Sequence, residues 1–224
     1  MSRLSKVKAC LLTVAVCWIF PGPSCFAFED EGFQFWNTAK LSFDINRDWK
    51  AEVDEELRFG DEGGTLYYHH TDLGFVYKSL AQWVDLGFNY RQVFEKDSDR
   101  KWRRENRPHL NVTLKAKLLD LDLSTRSRFE FRDRENKEDL WVYRNKVMAK
   151  SPWALTQLRL QPYVAEEIFV SLDPTKYLAD RLYAGMYLDI SENMRADFYC
   201  LLQAKRLRDT QHIHVLGVAL KFRF

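Results

Sequence analysis

Cysteine is scarce in this 224-residue sequence, and three of its four cysteines (Cys10, Cys17, Cys25) fall within the first 27 residues. That stretch has a basic start at Arg3, Lys6 and Lys8, an apolar run from Ala9 to Phe20, and a small-residue exit at Ser24-Cys25-Phe26-Ala27. Such a pattern predicts a secretory signal cleaved after Ala27. The apolar run is too short for a retained anchor, and Gly22-Pro23-Ser24 lacks the leucine a lipoprotein signal would carry before Cys25. The chain therefore reads as a signal over residues 1–27 and a single domain over residues 28–224, in which Cys200 is the remaining cysteine. One cysteine excludes an intrachain disulfide and a multi-cysteine zinc site.

An excess of either charge is also missing. Removing the leader's three basic residues from 34 leaves 31 Lys+Arg against 32 Asp+Glu, which deprives a nucleic-acid partner of its usual basic footprint. No later segment approaches eighteen uncharged apolar residues, so no transmembrane helix is expected. There is no Gly-x-Ser-x-Gly elbow and no His-Glu-x-x-His motif, and spacing marks out no serine as a nucleophile. The reading assigns no catalytic residue, no metal ligands and no cofactor.

What is present is alternation. From Leu119 to Arg132, LDLDLSTRSRFEFR puts Leu119, Leu121, Leu123, Thr125, Ser127, Phe129 and Phe131 on one face of an extended segment. Asp120, Asp122, Ser124, Arg126, Arg128, Glu130 and Arg132 take the other. Successive side chains leave opposite sides of a pleated backbone, so this period predicts a strand. Similar patterns occupy 33–45, 49–59, 66–77, 84–90, 108–116, 140–150, 157–169, 181–190, 194–204 and 212–224, with Glu55 as a charge on an apolar row. Turns after Ile45, Tyr77, Lys117, Lys150 and Ile190 read as short, and those after Phe94, Phe169 and Ala204 as longer and charged. Outer-membrane barrels have this asymmetry and usually an even strand number, so twelve strands are expected, with ten as the alternative.

Alternation fits a soluble barrel around an apolar interior equally well. Three features favour lipid outside. Most runs have the ten to fourteen residues that a tilted strand needs to cross a bilayer. Phe33, Phe35, Trp49, Phe59, Tyr67, Tyr77, Trp141 and Phe222 sit near row ends, as interfacial girdles require. Terminal Phe224, on an apolar row, resembles the signal read by the barrel-assembly machinery. The expectation is an all-β, antiparallel transmembrane barrel in the outer membrane of a Gram-negative bacterium.

The pattern also resembles an uncharacterised bacterial outer-membrane family, domain of unknown function 2490. The resemblance is carried by Trp36, by Arg126, Arg128, Glu130 and Arg132 on one strand, and by Arg144 and Lys146 on the next. Pro162, Glu167 and Phe169, then Arg181 with Gly185, then Tyr199 complete it. Lys146 stands where arginine is expected, and Gly87-Phe88 where glycine-tyrosine is usual. The resemblance implies the fold and the location, and no activity.

Lipid outside puts the charges inside. The expected lumen residues are Glu52, Asp54, Glu56, Arg58, Arg126, Arg128, Glu130, Arg132, Arg144, Lys146, Glu167 and Arg181, acidic on the second strand and mainly basic on the sixth to eighth. Two readings stay open: a packed ion-pair network that closes the lumen, or a narrow path for an ion or small polar solute. Arg100, Lys101, Arg103, Arg104 and Arg107 read as an outer-loop cluster facing lipopolysaccharide phosphates, or else as a solvated charge cluster. His69 and His70 fall on opposite faces, His109 inside, and His212 and His214 on the outer row. A lipid-modifying enzyme using that outer pair and a soluble periplasmic barrel binding an apolar ligand are the competing functions.

Overall fold

The computed structural model describes residues 32–61, 63–153, 159–206 and 210–224, so the expected signal lies outside the described residues. Eleven strands are present among them. These are β1 (Phe33–Asp44), β2 (Trp49–Gly60), β3 (Thr65–Ala81), β4 (Val84–Lys96), β5 (Trp102–Leu118) and β6 (Leu121–Arg134). β7 (Leu140–Lys150), β8 (Leu160–Leu172), β9 (Thr175–Ser191), β10 (Met194–Arg206) and β11 (Thr210–Arg223) complete a closed barrel in which sequence neighbours pair.

Ten of the pairings are antiparallel, and the closing one is not. β1 runs parallel to β11, from Phe33 beside His214 to Ser42 beside Arg223. A closed meander made wholly of antiparallel pairs must have an even number of strands; one parallel pair lifts that requirement. The expectation of twelve strands, or ten, is therefore corrected to eleven among the described residues, with a mixed sheet. Chain ends reinforce the seam: the Phe224 amide donates to the Ser42 carbonyl at 2.9 Å, and Arg223 Nη2 meets Asp44 at 2.8 Å.

The expected long loops are also corrected. The connection after β4 is residues 97–101, and that after β8 is residues 173–174; the one expected after Ala204 falls on 207–209, outside the described residues. The charged sequence after Phe94 imitates a loop, yet Trp102–Arg107 already belongs to β5. Leu119 and Asp120 leave the strand too. Both have positive φ (48° and 68°) and form the two-residue turn between β5 and β6, a geometry whose twist suits a hairpin.

Alternation does separate the faces. Outward positions expose Leu73, Phe75, Phe88, Leu110, Leu182, Met186, Phe198 and Leu216. Glu55, the exception, sits outward and accepts from the Thr71 hydroxyl at 2.5 Å, with His69 at 3.8 Å. Inward positions divide. Trp36, Tyr163, Ala165, Tyr183, Tyr199, Leu201, Ile213 and Val215 form an apolar cluster on the side of β8 to β11 and β1. Its rings need glycine opposite them: Tyr199 lies against Gly217, where an added Cβ would come within 2.0 Å of the ring. Most of the charged side chains lie in the rest of the interior, beside polar residues such as Asn89 and Asn111 and a few apolar ones such as Val76.

Candidate functional site

A cavity of about 430 Å³ occupies the lumen. It reaches from a layer containing Trp36, Arg58 and Arg181 to Lys40, Asp85, Ser124 and Lys221, nearer the barrel end where β1 turns into β2. One wall, on β2 to β4, carries Glu52, Asp54, Glu56, Asp72 and Arg91; the opposite wall, on β6 to β9, carries Arg126, Arg128, Arg144, Lys146, Glu167 and Arg181.

The first wall is made of local pairs. Lys40 and Lys50 hold Glu52 at 2.8 and 2.7 Å, Arg58 holds Glu56 at 2.6 Å, and Arg91 holds Asp72 at 2.7 Å. The second wall is organised around two shared carboxylates. Glu130, fully buried, has Arg132 at 2.6 Å, Arg144 at 3.4 Å and Arg128 at 3.7 Å. Glu167 has Arg144 at 2.8 Å, Arg126 at 3.3 Å and Arg181 at 3.7 Å, and accepts from the Tyr183 hydroxyl at 3.0 Å.

Amides bridge the walls. Asn89 donates to Asp72 at 3.0 Å, Asn111 donates to Asn89 at 2.9 Å, and Arg128 Nε donates to Asn111 at 2.8 Å. The alternation on β4 and β5 puts both asparagines inward, but their link is a cross-strand relation that no single segment displays.

The deep end is a stack of rings and guanidinium groups. Arg58 lies 4.0 Å from the Tyr68 ring centroid and 3.7 Å from that of Trp36. Arg181 lies 4.9 Å from Trp36 and 4.6 Å from Phe169, and Arg144 lies 4.5 Å from Phe169. The ladder Tyr68–Arg58–Trp36–Arg181–Phe169–Arg144 thus joins β3, β2, β1, β9, β8 and β7 across the lumen. Each desolvated cation–π contact is worth about 1–2 kcal/mol. Sequence reading placed the arginines inside but missed the ring ladder, because its rings come from strands distant in sequence.

All twelve expected lumen residues point inward, and all but Glu130 and Arg132 line the cavity. The five expected outer-loop cations do not form one patch. Arg100 and Lys101 lie on the exposed turn after β4, and Arg104 is exposed on β5. Arg103 is tied to Asp97 at 2.8 Å and Glu135 at 3.8 Å, and Arg107 is buried inside against Glu105 at 2.7 Å. The correction follows from the early start of β5, which turns alternate residues of the supposed loop inward.

The histidines fall on the expected faces. His70 is buried beside Asp54 (3.4 Å) and Glu56 (3.8 Å), and His109 Nδ1 donates to the Arg107 carbonyl at 3.0 Å. His69 is outward, stacked on Phe94 at 5.0 Å. His212 and His214 pair across the sheet with Ala204 and Leu202. Among the described residues no group of three or more His, Cys, Asp or Glu side chains is arranged to hold a metal ion.

With this geometry in view, comparison with known proteins gives one decisive result: residues 33–214 match the family model described as protein of unknown function (DUF2490). The chain belongs to that family. DUF2490 covers nearly the whole barrel, from the first residue of β1 into β11. No curated protein matches. Among solved structures, LpxR from Salmonella typhimurium aligns with a TM-score of 0.48 at 10% identity, over 78% of this chain and 83% of that one.

Proposed function

We propose that this DUF2490 chain is a non-enzymatic outer-membrane barrel with a closed lumen, presenting a blind charged cup at one end. The observation that carries the closed lumen is the ladder: the cavity ends at the layer of Trp36, Arg58 and Arg181. A conducting path would need a continuous polar route, and the rings stacked with guanidinium groups at this layer argue against one.

Lipid placement is supported by the outward rows. Exposed Leu73, Phe75, Leu182 and Met186 would be costly in water as a continuous band, and stable against acyl chains. Aromatic pairs stand toward both ends of that band: Phe43 with Phe224 (5.3 Å) and Trp49 with Tyr77 (5.0 Å) at one, Phe131 with Trp141 (5.1 Å) and Phe35 with Phe59 (6.5 Å) at the other. Their place suits interfacial girdles. Arg100, Lys101 and Arg104 remain as exposed cations for lipopolysaccharide phosphates. Phe224 on the seam suits recognition by the barrel-assembly machinery during insertion.

The test is flotation of refolded residues 28–224 with liposomes, followed by single-channel recording on the same vesicles. The expected result is protein in the floating fraction without discrete current steps. Protein left at the bottom of the gradient overturns the membrane reading, and discrete steps overturn the closed lumen.

A further inference from the structure

We propose that the basic wall of the cup binds a small oxyanion, a phosphate or carboxylate group carried by a soluble ligand. The proposal rests on the blind-cup reading and gives the cup an occupant.

Charge balance is the first observation. At the depth of the ladder, Arg107 and Arg132 lie within 4 Å of Glu105; Arg128, Arg132 and Arg144 surround Glu130; and Arg126, Arg144 and Arg181 surround Glu167. Lys146 stands opposite Glu167 across the β7–β8 pair. Six arginines and a lysine share three carboxylates. The facing wall offsets little of the surplus: Glu52, Glu56 and Asp72 already have cations of their own, and Asp54, whose neighbour is His70 at 3.4 Å, is the one carboxylate there without a lysine or arginine partner among the described residues. A buried positive excess is unfavourable unless an anion matches it.

Unused donors are the second observation. Arg128 is only 5% exposed and its Nη1 makes no hydrogen bond, and the Nε atoms of Arg126 and Arg144 make none either; all three nitrogens are covered by protein, so they mark guanidinium groups short of acceptors rather than donors open to the cavity. Among the described residues Lys146 has no ion pair; its ammonium lies 3.7 Å from the Tyr183 ring centroid. All four side chains line the cavity. Guanidinium forks match oxyanions with paired N–H donors, and an ammonium adds a compact charge. The cavity volume, about 430 Å³, lies in the range that holds a small ligand.

The experiment is calorimetric titration of refolded residues 28–224 in a phosphate-free detergent micelle at low ionic strength. Inorganic phosphate and succinate serve as separate probes, so no lipid phosphate contributes. Saturable binding of either at about one per barrel supports the proposal, and the probe that saturates gives the anion class. Lys146→Gln and Arg126→Gln should each weaken binding at least tenfold, while Lys101→Gln, on the exposed turn after β4 and outside the cavity, should change it less than twofold. The saturating probe should also raise the wild-type unfolding midpoint as its concentration rises, a readout that needs no variant. Saturation by neither probe, equal affinity in both wall variants, or a flat midpoint overturns the proposal. Flotation and conductance are read independently: a barrel that floats without current but binds neither probe leaves the proposed function standing and removes this inference alone.

Discussion

The two walls of the lumen use the same side chains to opposite effect. On β2 to β4 Glu52, Glu56 and Asp72 share no cation with one another, and at Glu52 the partners reach water, the Lys40 and Lys50 side chains being 30% and 28% exposed. On β6 to β9 the Glu130 and Glu167 side chains are 0% and 2% exposed, and each is shared by three arginines. Local pairs fail one at a time, because a freed lysine swings into solvent at little cost. A shared buried acid is a hub, and its loss strands several guanidinium groups together. Burial and sharing decide the difference, since the residue types are alike.

Replacing the hub should therefore have the largest effect. Glu167→Gln keeps the shape and removes the charge that Arg126, Arg144 and Arg181 share. Leaving buried cations uncompensated costs about 3–5 kcal/mol, so the refolded barrel should unfold at a much lower guanidinium concentration or fail to refold. The contrasting change on the other wall is Glu52→Gln, which releases Lys40 and Lys50 toward water. Its expected loss is about 1 kcal/mol or less, read from the same denaturant midpoint. Equal losses at the two positions would collapse the distinction between hub and local pairs.

Local pattern made much of this comparison legible. A period of two depends only on the pleat, so the inward charges of the second and of the sixth to eighth strands, Glu130 and Glu167 included, could be placed from their own segments, whereas Glu105 and Arg107 could not. Partnership could not be read, because Trp36 meets Arg58 and Arg181 through closure of the sheet. Turn boundaries were obscured where alternation runs on through a hairpin, as at Leu119-Asp120, and where charge imitates a loop, as before Arg107. The parallel seam was hidden for a different reason. β1 looks the same in sequence whether its neighbour runs parallel or antiparallel, so strand parity was a weaker guide than the segments themselves. Polar anchors such as Asn111 were visible as inward residues, but their role in joining the walls appears only in the closed sheet.

The smallest expected effect lies outside both walls, at the turn after β4, where the same logic of sharing is tested in solvent. Asp97 accepts from the backbone amides of Lys101 and Asp99 and from Arg103 Nε. The Lys101 amide first, then the Arg103 guanidinium, hold its carboxyl below the usual carboxylate range. A depressed acid stabilises the folded turn at every pH above that range and loses the contribution as pH falls through the lowered value. Asp97→Asn retains an oxygen for the two amides but not the charge that meets Arg103. Its deficit against wild type should be small and constant near neutral pH, and should close on acidification below the ordinary carboxylate range. Paired unfolding midpoints at pH 7 and in acid check this, and high salt should shrink the neutral deficit because the pair is only partly buried, on a turn at the barrel's rim. An unchanged deficit in acid would assign the turn's stability to the amide bonds alone. The ion pair would then contribute nothing, as many surface pairs do, and the energetic difference between walls would rest wholly on burial.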